Sequence, residues 1–144
     1  MARPIQISFD CADVGRLSRF YAAALHYRPM DPPEGFPTWE AALEAWGVPR
    51  EEWNDGAHLV DPEGKGPRIY FQRLETPKPG KNRLHLDLTA SGGRKVPLEE
   101  RRRRIDAEVE RLVGLGAAKL YVTEKGQHYA VTMTDPEGNE FCVN

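Results

Sequence analysis

At 144 residues the chain is long enough for one domain with a single sizeable core, and 40% hydrophobic with 29% charged residues is a globular, not a disordered, balance. The formal charge of −2 excludes a general electrostatic footprint for nucleic acid, and no apolar run approaches the ~18 residues a membrane helix needs. The opening residues carry no signal-peptide core, and Cys11 and Cys142 form no CxxC pair, which argues against a disulfide framework or a structural zinc; a soluble cytoplasmic protein is expected.

Residues 5–11 alternate, with Ile5, Ile7 and Phe9 on one side and Gln6, Ser8 and Asp10 on the other, the pattern of a half-buried strand. Asp13 then caps a helix whose apolar stripe is Val14, Leu17, Phe20, Tyr21, Ala24 and Leu25. A short strand is expected over 27–30, before Pro32 and Pro33 break the chain. Residues 32–56 read as an insertion holding all three tryptophans: Trp39, Leu43 and Trp46 share one face of a short helix over 38–46, and Trp53 follows Pro49. Strands are expected at 57–60 and 68–74, separated by the turn sequence Asp61-Pro62-Glu63-Gly64.

The second half repeats this scheme. Leu84, Leu86 and Leu88 alternate with His85, Asp87 and Thr89, the cleanest strand pattern in the chain. A helix over 98–115 turns Ile105, Val109, Leu112 and Val113 inward and closes on Gly114 and Gly116. Strands follow at 119–123, 129–134 and 140–143, the last two joined by Asp135-Pro136-Glu137-Gly138. The same tetrapeptide therefore lies between the last two strands of each half, 55 residues after Gln6 and 50 after His85. Proline at the second position and glycine where φ turns positive suit a tight turn, so the recurrence is a repeat signal as well as a turn.

The segments 5–25, 61–88 and 135–143 together resemble the glyoxalase-like branch of the vicinal-oxygen-chelate (glyoxalase/bleomycin-resistance/dioxygenase) superfamily, over nearly the whole chain and in the expected order. The resemblance implies an α+β fold of two βαβββ modules, about 1–79 with the 32–56 insertion and about 80–144, in one domain over 1–144. Their strands would form a curved mixed sheet, a cup around a small organic molecule, with helices outside. Homodimers are common in the family, and its members range from metal-dependent lyases, isomerases and dioxygenases to proteins that only bind an antibiotic, so fold alone leaves function open.

Alternation supplies a map of the faces. With Ile7, Phe9, Phe71, Leu84, Leu86, Phe141 and Val143 beneath the helices, the other face carries Gln6, Ser8, Asp10, Tyr70, Gln72, His85, Asp87, Glu140 and Cys142. That face is either a solvated sheet surface or the floor of a pocket. His85 with Asp87 is either a satisfied polar pair or a catalytic couple in which the carboxylate orients the ring. Gln6, Tyr70, Gln72, Glu140 and Cys142 are the candidate ligand contacts beside them. By the resemblance, metal-using relatives place ligands where this chain has Gln6, Gln72, His85 and Cys142. Two neutral amides, one imidazole and one thiol bind a dication weakly, and Asp87 and Glu140 sit two residues along their strands, so the metal site reads as degenerate.

His26 falls at a helix end, and His58 and His128 at strand or turn edges. The tryptophans either fasten the insertion to an edge or dimer interface, or roof the cup with Trp39 and Trp46 against a planar ligand. Glu99 and Glu100 lie four residues before Arg103 and Arg104, and Asp106, Glu108 and Glu110 follow, so the Arg101–Arg104 run reads as a solvated helix face. The expected function is metal-independent binding or modification of a small organic compound by a homodimer that contacts neither nucleic acid nor membrane. The alternatives are a glyoxalase-type enzyme using zinc, nickel, manganese or iron, and a catalytically silent interaction module.

Overall fold

Alternating side chains make the first strand, β1 (Gln6–Cys11), and Asp13 begins the helix α1 (Val14–Leu25) by accepting a hydrogen bond from the Arg16 amide at 2.9 Å. In the computed structural model, which describes residues 1–144, the chain folds as two compact units, Met1–Thr76 and Pro77–Asn144. In the first unit α1 ends on His26, whose φ of 57° is left-handed, and the Tyr27 amide reaches back to the Ala22 carbonyl at 2.9 Å. The chain continues through β2 (Arg28–Pro29), α2 (Trp39–Ala45), a single 3-10 turn at Arg50–Glu52, β3 (Gly56–Val60) and β4 (Arg68–Arg73). The sheet order is β1-β4-β3-β2, with β1 and β4 parallel and the remaining pairs antiparallel. The helical stripe Val14, Leu17, Phe20, Tyr21 and Ala24 is buried with Leu59, Ile69 and Phe71, and Tyr21 lies against the Phe9 and Phe71 rings.

The second unit repeats this order: β5 (Asp87–Leu88), α3 (Leu98–Gly114), β6 (Ala118–Lys125), β7 (His128–Thr134) and β8 (Glu140–Val143). Its sheet runs β5-β8-β7-β6, again with the outer pair β5 and β8 parallel. Ile105, Val109 and Leu112 of α3 are buried with Val131, Met133, Phe141 and Val143. Each unit is thus a βαβββ module with its helix packed on one sheet face, the first carrying the insertion, and the α+β fold is as the sequence implied.

The repeated tetrapeptide makes the same turn twice. The Asp61 carboxylate accepts amides from Glu63, Lys65 and Gly66 at 2.8–3.0 Å, and Asp135 accepts those of Glu137 and Asn139 at 2.8 and 3.0 Å. Gly64 and Gly138 take φ of 68° and 84°, where only glycine is unstrained. Those amides hold the Asp61 carboxyl below its usual range.

Two packing expectations need correction. Leu84, placed beneath the helix by its alternation, is 73% exposed, and the regular strand shrinks to two residues. The parallel register sets Asp87 opposite Cys142, which puts Leu84 opposite Asn139, in the turn before β8 begins, where no strand can pair with it. Val113 is 44% exposed, because the adjacent Leu112, about 100° around the helix, takes the buried direction. The arginine run is engaged locally: Arg103 and Arg104 pair with Glu100, Arg102 with Glu124, and Arg101 donates to the carbonyls of Val96 and Gln127.

Candidate functional site

The sheet face of the first unit that α1 leaves uncovered is organised in cross-strand rows. Register places Ser8, Tyr70 and His58 side by side, and the Met30 amide donates to the His58 carbonyl at 3.0 Å, extending the row to the end of β2. The Tyr70 and His58 rings stack at 4.6 Å, and the Trp39 indole stacks on the other side of His58 at 5.6 Å and 10°. Gly56 makes room for this ladder, since a Cβ there would lie 3.1 Å from the Tyr70 hydroxyl. Thr38 caps α2 through the Ala41 amide, and the Trp39 Nε1–H donates to the Met30 carbonyl at 2.8 Å, so the insertion is tied to the sheet it covers.

Between the insertion and the sheet lies a cavity of about 430 Å³ lined by Trp39, Leu43, Trp46, Val48, Trp53, His58 and Tyr70, with Pro29, Met30 and the acidic Glu52 and Asp55 completing its wall. The volume is within the range of small-molecule sites, and the lining has their usual balance of aromatic surface and few polar groups. Trp53 is fixed by its Nε1–H bond to the Val48 carbonyl at 2.9 Å, and Trp46 packs edge-on against Phe36 while remaining 55% exposed. Burial, and then the nearby Arg68 guanidinium, hold the His58 pKa below the ordinary imidazole value, so its ring is neutral at physiological pH.

The remaining candidates of this unit are engaged in pairs. Gln6 accepts from Arg68 Nε at 2.5 Å, and Gln72 donates to Asp10 Oδ1 at 2.6 Å. Of the contacts expected from the sequence, the structure brings Tyr70, Trp39 and Trp46 to one cavity and leaves Gln6 and Gln72 outside its lining. His58, read as an edge residue, sits at the centre of the ladder. Its signal was the alternation of β3, but the register against β4 that seats it beside Tyr70 is not written in either strand alone.

In the second unit the face opposite α3 carries Asp87, Cys142, Thr132 and Tyr121 in one row across four strands. Thr132 Oγ1 and Cys142 Sγ are 3.5 Å apart, and His85 Nε2 is 3.4 Å from Asp87 Oδ1. An imidazole nitrogen, a carboxylate oxygen and the thiol of His85, Asp87 and Cys142 fall within 4.8 Å of one another. Asp87, expected to stand too far along its strand for this group, is within reach. The chain before it is not regular strand, so two-residue spacing does not hold the side chains apart. One imidazole, one carboxylate and one thiol leave a coordination position open and carry at least one negative charge, a donor set that suits a borderline divalent ion such as zinc better than the amide set did.

Glu140, expected beside them, is engaged elsewhere. It accepts the Asn82 amide at 3.0 Å and pairs with Lys78 at 3.1 Å, and these contacts, the Asn82 amide foremost, lower its pKa to about 2. His128 is exposed at the start of β7, and neither cysteine is in a disulfide.

Comparison with known proteins agrees with this architecture. No curated protein sequence matches the chain. Among solved structures, a glyoxalase/bleomycin resistance protein/dioxygenase family enzyme from Burkholderia phytofirmans PsJN superposes with a TM-score of 0.62 at 17% identity, covering 96% of this chain and 94% of its own. A possible glyoxalase from Bacillus cereus gives 0.60 at 14%, over 99% and 98%. A single-residue mutant of the genomically encoded fosfomycin resistance protein FosX from Listeria monocytogenes, complexed with Mn(II) and 1S,2S-dihydroxypropylphosphonic acid, gives 0.61 at 12%, over 100% and 90%. At these identities the structures establish a shared fold. The family model of the glyoxalase-like domain matches residues 6–144, and the chain belongs to that family, in the vicinal-oxygen-chelate superfamily.

Proposed function

We propose that this protein binds a small organic molecule with a planar portion in the cavity between the tryptophan-bearing insertion and the first sheet, without a metal at that site. The observation that carries this is the about 430 Å³ aromatic cavity, in which Trp39, His58 and Tyr70 are already stacked and the Trp39 indole is held by a hydrogen bond to the Met30 carbonyl. A pre-ordered apolar wall loses little conformational freedom when a ligand arrives, and the neutral His58 ring supplies a hydrogen-bonding group rather than a charge. A screen of planar compounds against chelator-treated protein should find one that shifts tryptophan emission saturably and raises the melting temperature, because a ligand of the native state stabilises it by mass action. Trp46→Ala should weaken that binding at least tenfold, about 1.4 kcal/mol, while the protein stays folded. A screen in which every hit is indifferent to Trp46 would refute the assignment.

His85 and Asp87 remain our candidates for a catalytic couple, and one observation favours divalent-metal chemistry there: their convergence with Cys142. Bound by these three side chains, a metal would supply Lewis-acid polarisation of a ligand oxygen. Zinc retained stoichiometrically through dialysis, and lost in both His85→Ala and Cys142→Ser, would establish that site; zinc that dialyses away would remove it. No helix is long and apolar enough to cross a membrane. We further propose a cytoplasmic homodimer. The edge strand β6, which exposes Leu120, Tyr121 and Val122, supports the dimer as an apolar surface open to a second copy. Light scattering at monomer mass at micromolar concentration would contradict it.

A further inference from the structure

We propose that the ligand class of the aromatic cavity is the planar organic cation: a fused aromatic ring system bearing a protonated or quaternary nitrogen. This rests on the cavity being a ligand site and adds the sign of the charge. The charged residues in its wall are Glu52 and Asp55, both acidic, and no lysine or arginine lines it. Glu52 is exposed at the end of the 3-10 turn and has no cationic partner, and Asp55 meets Arg73 only at 3.5 Å, while that guanidinium makes its closer bond, 2.6 Å, to Glu75. Both carboxylates therefore keep acceptor capacity for a ligand.

The aromatic surface adds to the same preference. An indole face attracts cations through its quadrupole, and the cavity presents three indoles. The chain itself displays this attraction, since the Arg50 guanidinium lies 5.3 Å from the centre of the Trp53 ring. An anionic ligand would meet two like charges and the negative faces of the rings in the lining itself, while the neighbouring guanidiniums of Arg50, Arg68 and Arg73 stand outside it. A neutral ligand would gain the stacking and the apolar burial but not the carboxylates.

The test compares three tricyclic probes of nearly equal shape by calorimetry on the full chain near neutral pH: aminoacridine as the cation, acridine as the neutral ring, and acridine carboxylate as the anion. Aminoacridine should bind about tenfold tighter than acridine, and the carboxylate weakest of all. Glu52→Gln keeps shape and removes one charge on an exposed residue, so it should shrink the ratio of aminoacridine to acridine affinity severalfold. Glu52→Gln with Asp55→Asn should abolish the preference. Equal affinity for the three probes, a preference for the carboxylate, or a preference that survives the double variant would overturn the inference. If Trp46→Ala still weakens all three probes in that case, the cavity remains the binding site and only its charge selectivity is wrong. If none of the three binds while another screened compound does so through Trp46, the inference falls alone. If nothing binds through Trp46, the inference and the site fall together.

Discussion

The two units have one architecture and two different working faces. Each buries a helix stripe on one side of a four-stranded sheet and turns the other side to a row of paired residues. In the first unit that row is aromatic, with Tyr70, His58 and Trp39 stacked under the insertion that joins β2 to β3. In the second the corresponding connection, from β6 to β7, is only Gly126 and Gln127, and the row is Asp87, Cys142 and Thr132. The repeated element supplies the buried core of each unit, and what was inserted or left out of it sets the character of the other sheet face. A stacked aromatic wall suits binding by burial; an open group of imidazole, carboxylate and thiol suits polar or metal chemistry.

The strongest way to break this contrast is through the shared side. Phe71 and Phe141 are both fully buried against their helices, so Phe71→Ala and Phe141→Ala should each cost about 3–5 kcal/mol in denaturant melts. A cost near zero for either would show that the two sheets are not equivalent supports. On the differing side, Trp39→Phe keeps an aromatic ring but strands the Met30 carbonyl, and should cost about 1–3 kcal/mol and loosen the insertion. Faster amide exchange over 38–46 would report that loosening, and unchanged exchange would detach the tryptophan from its tethering role.

Titration sharpens the contrast further. The His58 pKa is depressed by folding, so the unfolded chain binds its proton more readily. The histidine therefore leaves native stability intact above the unfolded value, and stability declines as pH falls below it toward the lower folded value. His58→Gln should flatten the stability profile just below neutrality, with the loss of slope read from melts at successive pH values. An effect of opposite chemistry is expected from Glu140, whose folded pKa of about 2 lies below its ordinary 4.5. Its contribution is present above the unfolded value and lost as pH falls through that window, so Glu140→Gln should make the protein less stable near neutrality and less sensitive to acid between those values. An unchanged acid profile in the variant would show that the Asn82 and Lys78 contacts hold nothing in place.

Much of the fold was legible because the signals are local. The α1 stripe, the Asp13 cap, the alternation of β1 and the paired Asp-Pro-Glu-Gly turns act within a few residues of themselves, and each forms as read except that Ile5, read as the first apolar residue of the strand, lies before it and is exposed. Leu84 shows where locality ends: its alternation is as clean as that of β1, but a parallel strand is stable only as far as its neighbour extends, and β8 begins too late to cover it. The candidate site was legible in part for the same reason. Trp39 and Trp46 announced themselves by helical spacing, and so did the His85–Asp87 couple by strand alternation, whereas the convergence of that couple with Cys142 needed the register of β5 against β8.

What the sequence by itself determined is therefore the βαβββ repeat, most of the buried faces and the turns, since periodicity and φ preferences are properties of short segments. The tertiary structure decided which of the remaining side chains meet. Cross-strand register put His58 against Tyr70, the Met30 carbonyl drew Trp39 onto His58, and the Asn82 amide claimed Glu140. Each of these contacts joins residues that share no local pattern, and each forms because a polar group or ring that leaves water must find its partner wherever the fold brings one within reach.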